Sequence, residues 1–212
     1  MDKRAGNFSF VPRLKAKYLS LKKLEKINPP NNPWEFFEKL FKKALKREPE
    51  PNASVLCTAG PNGRVVLIKK FDPEFWFFTS AFSKKVREIK RNPRGALVFY
   101  WPSLCCQIRV AGKIKKLKKE ICVSYFNIRP VDAKVAVTIS RQSHILKNWT
   151  LLKKNFLKIL ASDPVIECPK HWIGYSLCPT SFEFWFGSSS RLHRRFHYSY
   201  RNHKWTLKEL CP

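Results

Sequence analysis

The stretch ASVLCTAGPNGRVVLIKKF, residues 53–71, places two short apolar runs on either side of a GPNG turn. Runs of branched and apolar residues broken by Gly, Pro and Asn read as strand, turn, strand. The same pattern continues outward with EFWFFTS (74–80), GALVFYW (95–101) and CQIRVAGKIKKL (106–117). It returns near the C-terminus as WIGYSLC (172–178), FEFWF (182–186), RLHRRFHYSY (191–200) and KWTLKEL (204–210). Consecutive short strands of this kind predict an antiparallel sheet or barrel, with no internal repeat.

Helices flank these strands. Asn32 caps a helix that has Pro33 in its first turn, with Trp34, Phe37, Phe41, Ala44 and Leu45 on one stripe and an end near Pro49. SKKVREIKRNP (83–93) predicts a helix capped by Ser83, with Val86 and Ile89 inward and a stop at Pro93. KKEICVSYFNIRP (118–130) and NWTLLKKNFLKIL (148–160) also read as helices. The fold class is therefore mainly β with flanking helices. Residues 1–32, basic and closed by NPPNNP, read as an arm without firm order, and 33–212 as one folded domain.

At 212 residues, 44% hydrophobic and 14% aromatic, the chain has ample material for a packed core. Its formal charge of +27 raises nucleic acid as a partner. Lysine pairs, however, recur along the whole chain from Lys22–Lys23 to Lys153–Lys154, which fits a solvated surface better than a binding stripe. No specific nucleic acid is expected. The seven cysteines include no CxxC pair, so a disulfide framework is not expected. The N-terminus lacks an apolar leader and no run approaches the roughly 18 apolar residues of a span, so the chain reads as soluble, cytoplasmic and off the membrane.

Several basic features invite a ligand. In SFEFWFGSSSRLHRRF (181–196), a strand after the Ser188–Ser190 hinge would send Arg191, His193 and Arg195 to one face and Leu192 and Phe196 to the other. A nucleic acid backbone, a metal or a planar phosphorylated cofactor would each suit such nitrogen-rich side chains, and a solvated strand face accounts for them equally well. The HxxxH spacing of His193 and His197 lacks a carboxylate or Cys companion, so no metal is expected. The start of the Ser83 helix, with Lys84 and Lys85, suits a phosphate, although a Ser cap followed by lysines is a common arrangement without one. Tyr125 and Arg129, four apart before Pro130, can clamp another phosphate or form a plain surface pair. Arg64 and Lys69 put a cation at each end of VVLI, an arrangement that snorkelling also explains. Two phosphates are wanted, and a flavin mononucleotide plus a phosphorylated substrate would supply them. GxGxxG, P-loop, GxSxG and zinc-quartet patterns are all absent from the sequence.

RVVLIK, FFTS with SKK, FYW, QIRVAG, YFNIRP, SRQS, EFW and RLHRRF, in this order and closing on WTLKELCP, resemble the pyridoxine 5'-phosphate oxidase (pyridoxamine-phosphate oxidase) family from about Trp34 to Pro212. The resemblance implies an FMN-binding split β-barrel and a homodimer with FMN at the subunit interface. It implies oxidation of pyridoxine 5'-phosphate or pyridoxamine 5'-phosphate to pyridoxal 5'-phosphate, with dioxygen reduced to peroxide. Carried over by motif, Arg64, Val65, Val66, Leu67, Ile68 and Lys69 contact FMN, as do Phe78, Thr79, Lys84 and Lys85. Gln107, Gln142, Ser143, Trp185 and Arg195 complete that set. Lys69, Tyr125 and Arg129, with Ala133, surround the substrate phosphate, and Arg191 and His193 lie over the substrate ring as the catalytic pair.

The chain also departs from the family pattern. Lys84 replaces a usual Arg, Ala133 a usual Ser, Phe186 a usual Gln and Arg194 a usual Asp. WIG replaces WGG at Trp172, and the hairpin before Arg64 is about four residues shorter than the resemblance leads one to expect. Three other readings compete with the oxidase: a relative that binds FMN or pyridoxal phosphate without efficient turnover, a basic nucleic-acid-binding module, and a split barrel that serves haem or a different flavin substrate.

Overall fold

The predicted hairpin forms. In a computed structural model that describes residues 18–60, 62–162 and 164–212, β1 (Ala53–Thr58) and β2 (Asn62–Leu67) pair antiparallel with Leu56 opposite Arg64. Gly60, at φ +100°, takes the left-handed turn that a side chain would resist. The sheet continues through β3 (Phe75–Ser80), β4 (Arg94–Trp101), β5 (Cys106–Lys116), β6 (Trp172–Phe186), β7 (Arg194–Arg201) and β8 (Lys204–Leu210). The strand order is β2-β1-β4-β5-β6-β7-β8, with β3 paired to the first half of β6. Every pairing between these strands is antiparallel, and no ladder among the described residues joins β2 to β8, so the barrel is split and not closed.

WIGYSLC and FEFWF, expected as two strands, are one fifteen-residue strand. The register shift between Ala111 and Gly112 on β5 leaves Thr180 of β6 as an extra residue beside Pro179, which would break an ordinary ladder. RLHRRFHYSY is shorter than expected, because β7 starts only at Arg194. Before it, Arg191 N–H bonds Ser188 O, Leu192 N–H bonds Ser190 Oγ, and Arg191 sits at φ +66°, so a hydrogen-bonded turn replaces the expected alternation.

Helix α2 (Pro33–Ala44) has the expected cap, with Asn32 Oδ1 accepting from Trp34 N–H at 3.0 Å. Its buried stripe is Phe36, Phe37, Leu40 and Ala44, rotated from the expected one, and Leu45 is exposed. The rotation lets Phe36 meet Phe184 and Phe37 meet Phe75 and Phe99, with ring centroids 4.5, 5.1 and 5.2 Å apart. Each of these rings contributes roughly 1.5–3 kcal/mol by burial. Phe186 and Ile173, two of the departures from the family pattern, lie in this same core.

The remaining helices are α3 (Lys84–Arg91), α4 (Lys119–Asn127), α5 (Val131–Ile139) and α6 (Trp149–Leu160). The sequence reading did not anticipate α5. The first 17 residues of the expected arm lie outside the described residues. From Tyr18 onward the chain packs on the sheet: α1 (Leu21–Glu25) buries Leu24, and Arg194 Nη1 donates to Leu24 O and Ile27 O. Tyr198 OH fixes the next stretch by donating to Pro30 O at 2.7 Å. Among the described residues, no helix is long and apolar enough to cross a membrane.

Candidate functional site

A cavity of about 770 Å³ opens between β2, β3, α4 and α5, within the size range of small-molecule sites. Of the residues singled out from sequence, it brings together Val65, Val66, Leu67, Lys69, Phe78, Thr79, Lys85, Tyr125, Arg129, Ala133 and Gln142. Ile68 is turned into the core, as alternation along the chain requires.

One wall is aromatic. Phe78 on β3 stacks on Tyr125 of α4, with centroids 4.1 Å apart and planes at 15°, and Trp172 lies parallel to Phe78 at 6.0 Å. Helix α4 ends at Asn127, and Arg129 N–H closes on Phe126 O, so Arg129 follows the helix instead of riding on its last turn. Its guanidinium stacks over Trp172 at 4.3 Å. Nη1 of Arg129 is buried with no hydrogen-bond partner among the described residues. Burial holds the Arg129 pKa below its ordinary value. Trp172, absent from the expected site residues, is needed for this stack, but a Trp opening a strand gives no sequence signal distinct from core.

The opposite end of the cavity is polar. Thr79 Oγ1 donates to Gln142 Oε1 at 3.1 Å and accepts from Lys85 Nζ at 3.1 Å. Lys85 is 8% exposed, and burial followed by the nearby Arg64 lowers its pKa, partly offset by Glu88. Ser83 stands at the N-cap position of α3, but its hydroxyl pairs with Thr79 and does not cap the helix. Ser143 comes to the start of α3 instead, its Oγ accepting from Lys84 N–H at 3.3 Å. The Lys84 ammonium donates outward to Asn62 Oδ1. Arg64 lies behind the cavity, donating to Thr58 Oγ1 and Glu88 Oε2, both at 2.6 Å, and to Leu56 O. Strand β2 thus has one inward face and one outward face.

Gln107, Trp185, Arg191, His193 and Arg195 do not line this cavity. Three of them form a row across the sheet, with Gln107 opposite Trp185 and Trp185 opposite Arg195. Directly opposed residues share a face, and the row continues through Tyr100 on β4. Next to the row, His193 packs on Trp185 with centroids 4.7 Å apart. Its Nδ1 accepts from Ser188 N–H at 3.0 Å, which leaves the proton of the neutral ring on Nε2. Burial, then the charge of Arg191, lowers the His193 pKa, so the neutral donor form is favoured. Arg194 points away from the row: Nε and Nη2 fork onto Glu209 at 2.6 and 2.8 Å.

Fold and cavity together define a split-barrel flavoprotein. Residues 40–162 match the family profile described as pyridoxamine 5'-phosphate oxidase, and residues 172–212 match the pyridoxine 5'-phosphate oxidase C-terminal dimerisation region. The chain belongs to the pyridoxamine 5'-phosphate oxidase family. A pyridoxine/pyridoxamine 5'-phosphate oxidase of Nostoc sp. strain PCC 7120 is 37% identical, over 91% of this chain and 94% of that one. Another from Pseudomonas paraeruginosa is 35% identical, over 89% and 93%. Among solved structures, PhzG from Burkholderia lata in complex with tetrahydrophenazine-1-carboxylic acid superposes with TM-score 0.82 at 28% identity, covering 87% of this chain and 95% of that one. A pyridoxamine 5'-phosphate oxidase-related, FMN binding protein from Nostoc punctiforme shares the fold with TM-score 0.70 at 16% identity, over 87% and 100%.

FMN is the cofactor, and the residues present fit it. The cavity is large enough, Lys85 and the start of α3 offer positive charge for a phosphate, and Arg129 holds an unpaired buried donor for a second anion.

Proposed function

We propose that the protein oxidises pyridoxine 5'-phosphate or pyridoxamine 5'-phosphate to pyridoxal 5'-phosphate, with dioxygen as electron acceptor, and that it works as a homodimer. The observation that carries this reading is the Arg129 guanidinium, stacked on Trp172 with a buried N–H unpaired, in a cavity it shares with Tyr125 and Lys69. A buried donor without a partner is costly, and a phosphate that accepts from it removes the cost through a charge-assisted bond.

When bound, FMN would supply the redox chemistry, a two-electron transfer from substrate to dioxygen. Atoms balance as alcohol plus dioxygen giving aldehyde plus hydrogen peroxide. For the amine, one water enters and ammonia leaves. The chain's own part is binding and orientation. Lys69, Tyr125 and Arg129 hold the substrate phosphate, while Lys85 and the start of α3 hold that of the cofactor. His193, with its proton on Nε2, donates to the substrate ring beside Arg191. Gln107, Trp185 and Arg195, and with them Arg191 and His193, come from the second copy, because they lie outside their own chain's cavity and His193 packs on Trp185.

A second reading, oxidation of a partly reduced aromatic carboxylic acid, draws on the relative from Burkholderia lata and on Ala133, which offers no hydroxyl to a phosphate. Anaerobic mixing of FMN-loaded protein with each substrate class separates the two. Bleaching of the flavin absorbance by either vitamer phosphate supports the oxidase. Bleaching only by a dihydro-aromatic acid moves the assignment to the second reading, and no bleaching by any of them removes both.

A further inference from the structure

The outer face of the sheet carries a second row directly beside the Gln107–Trp185–Arg195 row. Two residues along each strand, Arg109 on β5 stands opposite Glu183 on β6, and Glu183 stands opposite His197 on β7. Residues two apart on a strand share a face, so both rows look the same way. Glu183 is 7% exposed, an unusual place for a carboxylate. It is fully engaged: Oε1 accepts from Arg195 Nε at 3.0 Å and Nη2 at 2.9 Å, and Oε2 accepts from Arg109 Nη2 at 2.5 Å. The third nitrogen of Arg195, Nη1, donates to Cys211 O at 3.0 Å.

We propose that Glu183 is the positioning residue for Arg195. It clamps the guanidinium through Nε and Nη2, leaving one N–H on Nη1 and one on Nη2 that would serve the flavin held in the partner's cavity. The inference rests on the reading that Arg195 contacts FMN across the dimer. An arginine has many rotamers, and locking one of them before the ligand arrives removes an entropic cost of binding. Two nitrogens of Arg195 converge on the one oxygen Oε1, a two-point hold on the planar guanidinium that a lysine could not reproduce. Arg109 completes the device. One buried carboxylate between two arginines leaves a net single positive charge on the face, so Glu183 orients Arg195 without cancelling its charge.

The test is a double-mutant cycle read by FMN affinity of the apoprotein, from quenching of flavin fluorescence, with no turnover involved. Glu183→Gln keeps the shape but loses the charge that holds both arginines, and should weaken FMN about tenfold. In an Arg195→Lys background the same change should have less than about a twofold effect, because the group it positions is gone. Should Glu183→Gln fail to fold, Glu183→Asp enters the same cycle, keeping the charge but drawing the carboxylate back by one methylene. A lower melting temperature with unchanged FMN affinity, in both backgrounds, would mean that the network only ties strands together and overturns the proposal. If Arg195→Lys itself leaves FMN affinity unchanged, the placement of Arg195 falls and takes the proposal with it. If Arg195→Lys weakens FMN and the Glu183 variants do not, the proposal fails alone.

Discussion

Arg129 and Ala133 line one cavity but differ in what each can give a phosphate. The guanidinium offers charge and a buried donor without a partner, whereas the methyl group offers neither. Restoring a hydroxyl by Ala133→Ser adds one neutral donor, about 1 kcal/mol, so KM should fall several-fold. The phosphate is remote from the reacting carbon, and the contact should be alike in ground and transition states, leaving kcat nearly unchanged. Arg129→Ala should raise KM by far more, on the order of 100-fold, through loss of a charged partner. Steady-state kinetics on the two variants checks this. An unchanged KM in both would place the phosphate elsewhere.

His193 gives a pH prediction at the same scale. Its lowered pKa means that the folded chain binds a proton there less readily than the unfolded chain does. As pH falls through the ordinary histidine range the unfolded state gains the proton first, so this group's contribution to stability is lost on the acid side. In the folded enzyme the neutral ring persists to lower pH than a free imidazole would. The acid limb of kcat/KM assigned to His193 should therefore lie below the usual histidine pKa and move upward in Arg191→Gln, which removes the second cause of the shift. A pH-rate series on wild type and this variant decides the matter.

Among the elements, the strands and four of the helices were legible because each advertises its own period and punctuation. Asn32–Pro33 marks the start of α2, and Pro93 ends the segment that contains α3. What was not legible depends on other elements. Leu45 fits a helical stripe as well as Phe36 and Leu40 do, and only the positions of Phe184, Phe186 and Phe196 on the sheet select the latter two, while Trp34 packs beside them on Phe75 and Phe182. The turn at 188–193 and the continuity of β6 through Pro179 were hidden for the same reason. Within the site, the lysines and arginines announced themselves by charge, while Trp172 and Glu183 looked like ordinary strand residues. The clasp between α1 and the C-terminal strands was also invisible, because Arg194 reads locally as one more surface cation. In the structure it joins Glu209 on β8 to Leu24 O and Ile27 O. Arg194→Asp, which restores the residue usual in the family, should leave those carbonyls unpaired and set two carboxylates together. The expected cost is about 1–2 kcal/mol, seen as a lower melting temperature with FMN affinity retained. Loss of FMN at an unchanged melting temperature would place Arg194 at the site instead.

At the scale of the whole molecule, half of the proposed site faces outward. Val55, Val65, Leu67 and Tyr100 are 38%, 64%, 38% and 62% exposed. Val55 stands opposite both Val65 and Val98, and Tyr100 stands opposite Gln107, so this apolar surface runs into the Gln107–Trp185–Arg195 row. Val65 also lines the cavity. A second copy related by a two-fold axis would cover the apolar patch and bring its own row over the cavity, and the same contact would be made in reverse. The chain carries the family's C-terminal dimerisation region, which includes β7 and β8. Opposing this association is the formal charge of +27 on each copy. The repulsion is screened by salt, so dimer affinity should rise with ionic strength until screening is complete. Tyr100→Glu puts a charge into the centre of the covered patch without touching the cavity of its own chain. It should give a folded monomer that no longer retains FMN, because the cavity then lacks the partner's row. Sedimentation equilibrium alongside the flavin-to-protein ratio measures both quantities in one sample. A monomer that keeps one FMN per chain would show the cavity to be sufficient by itself, and the shared site would have to be abandoned.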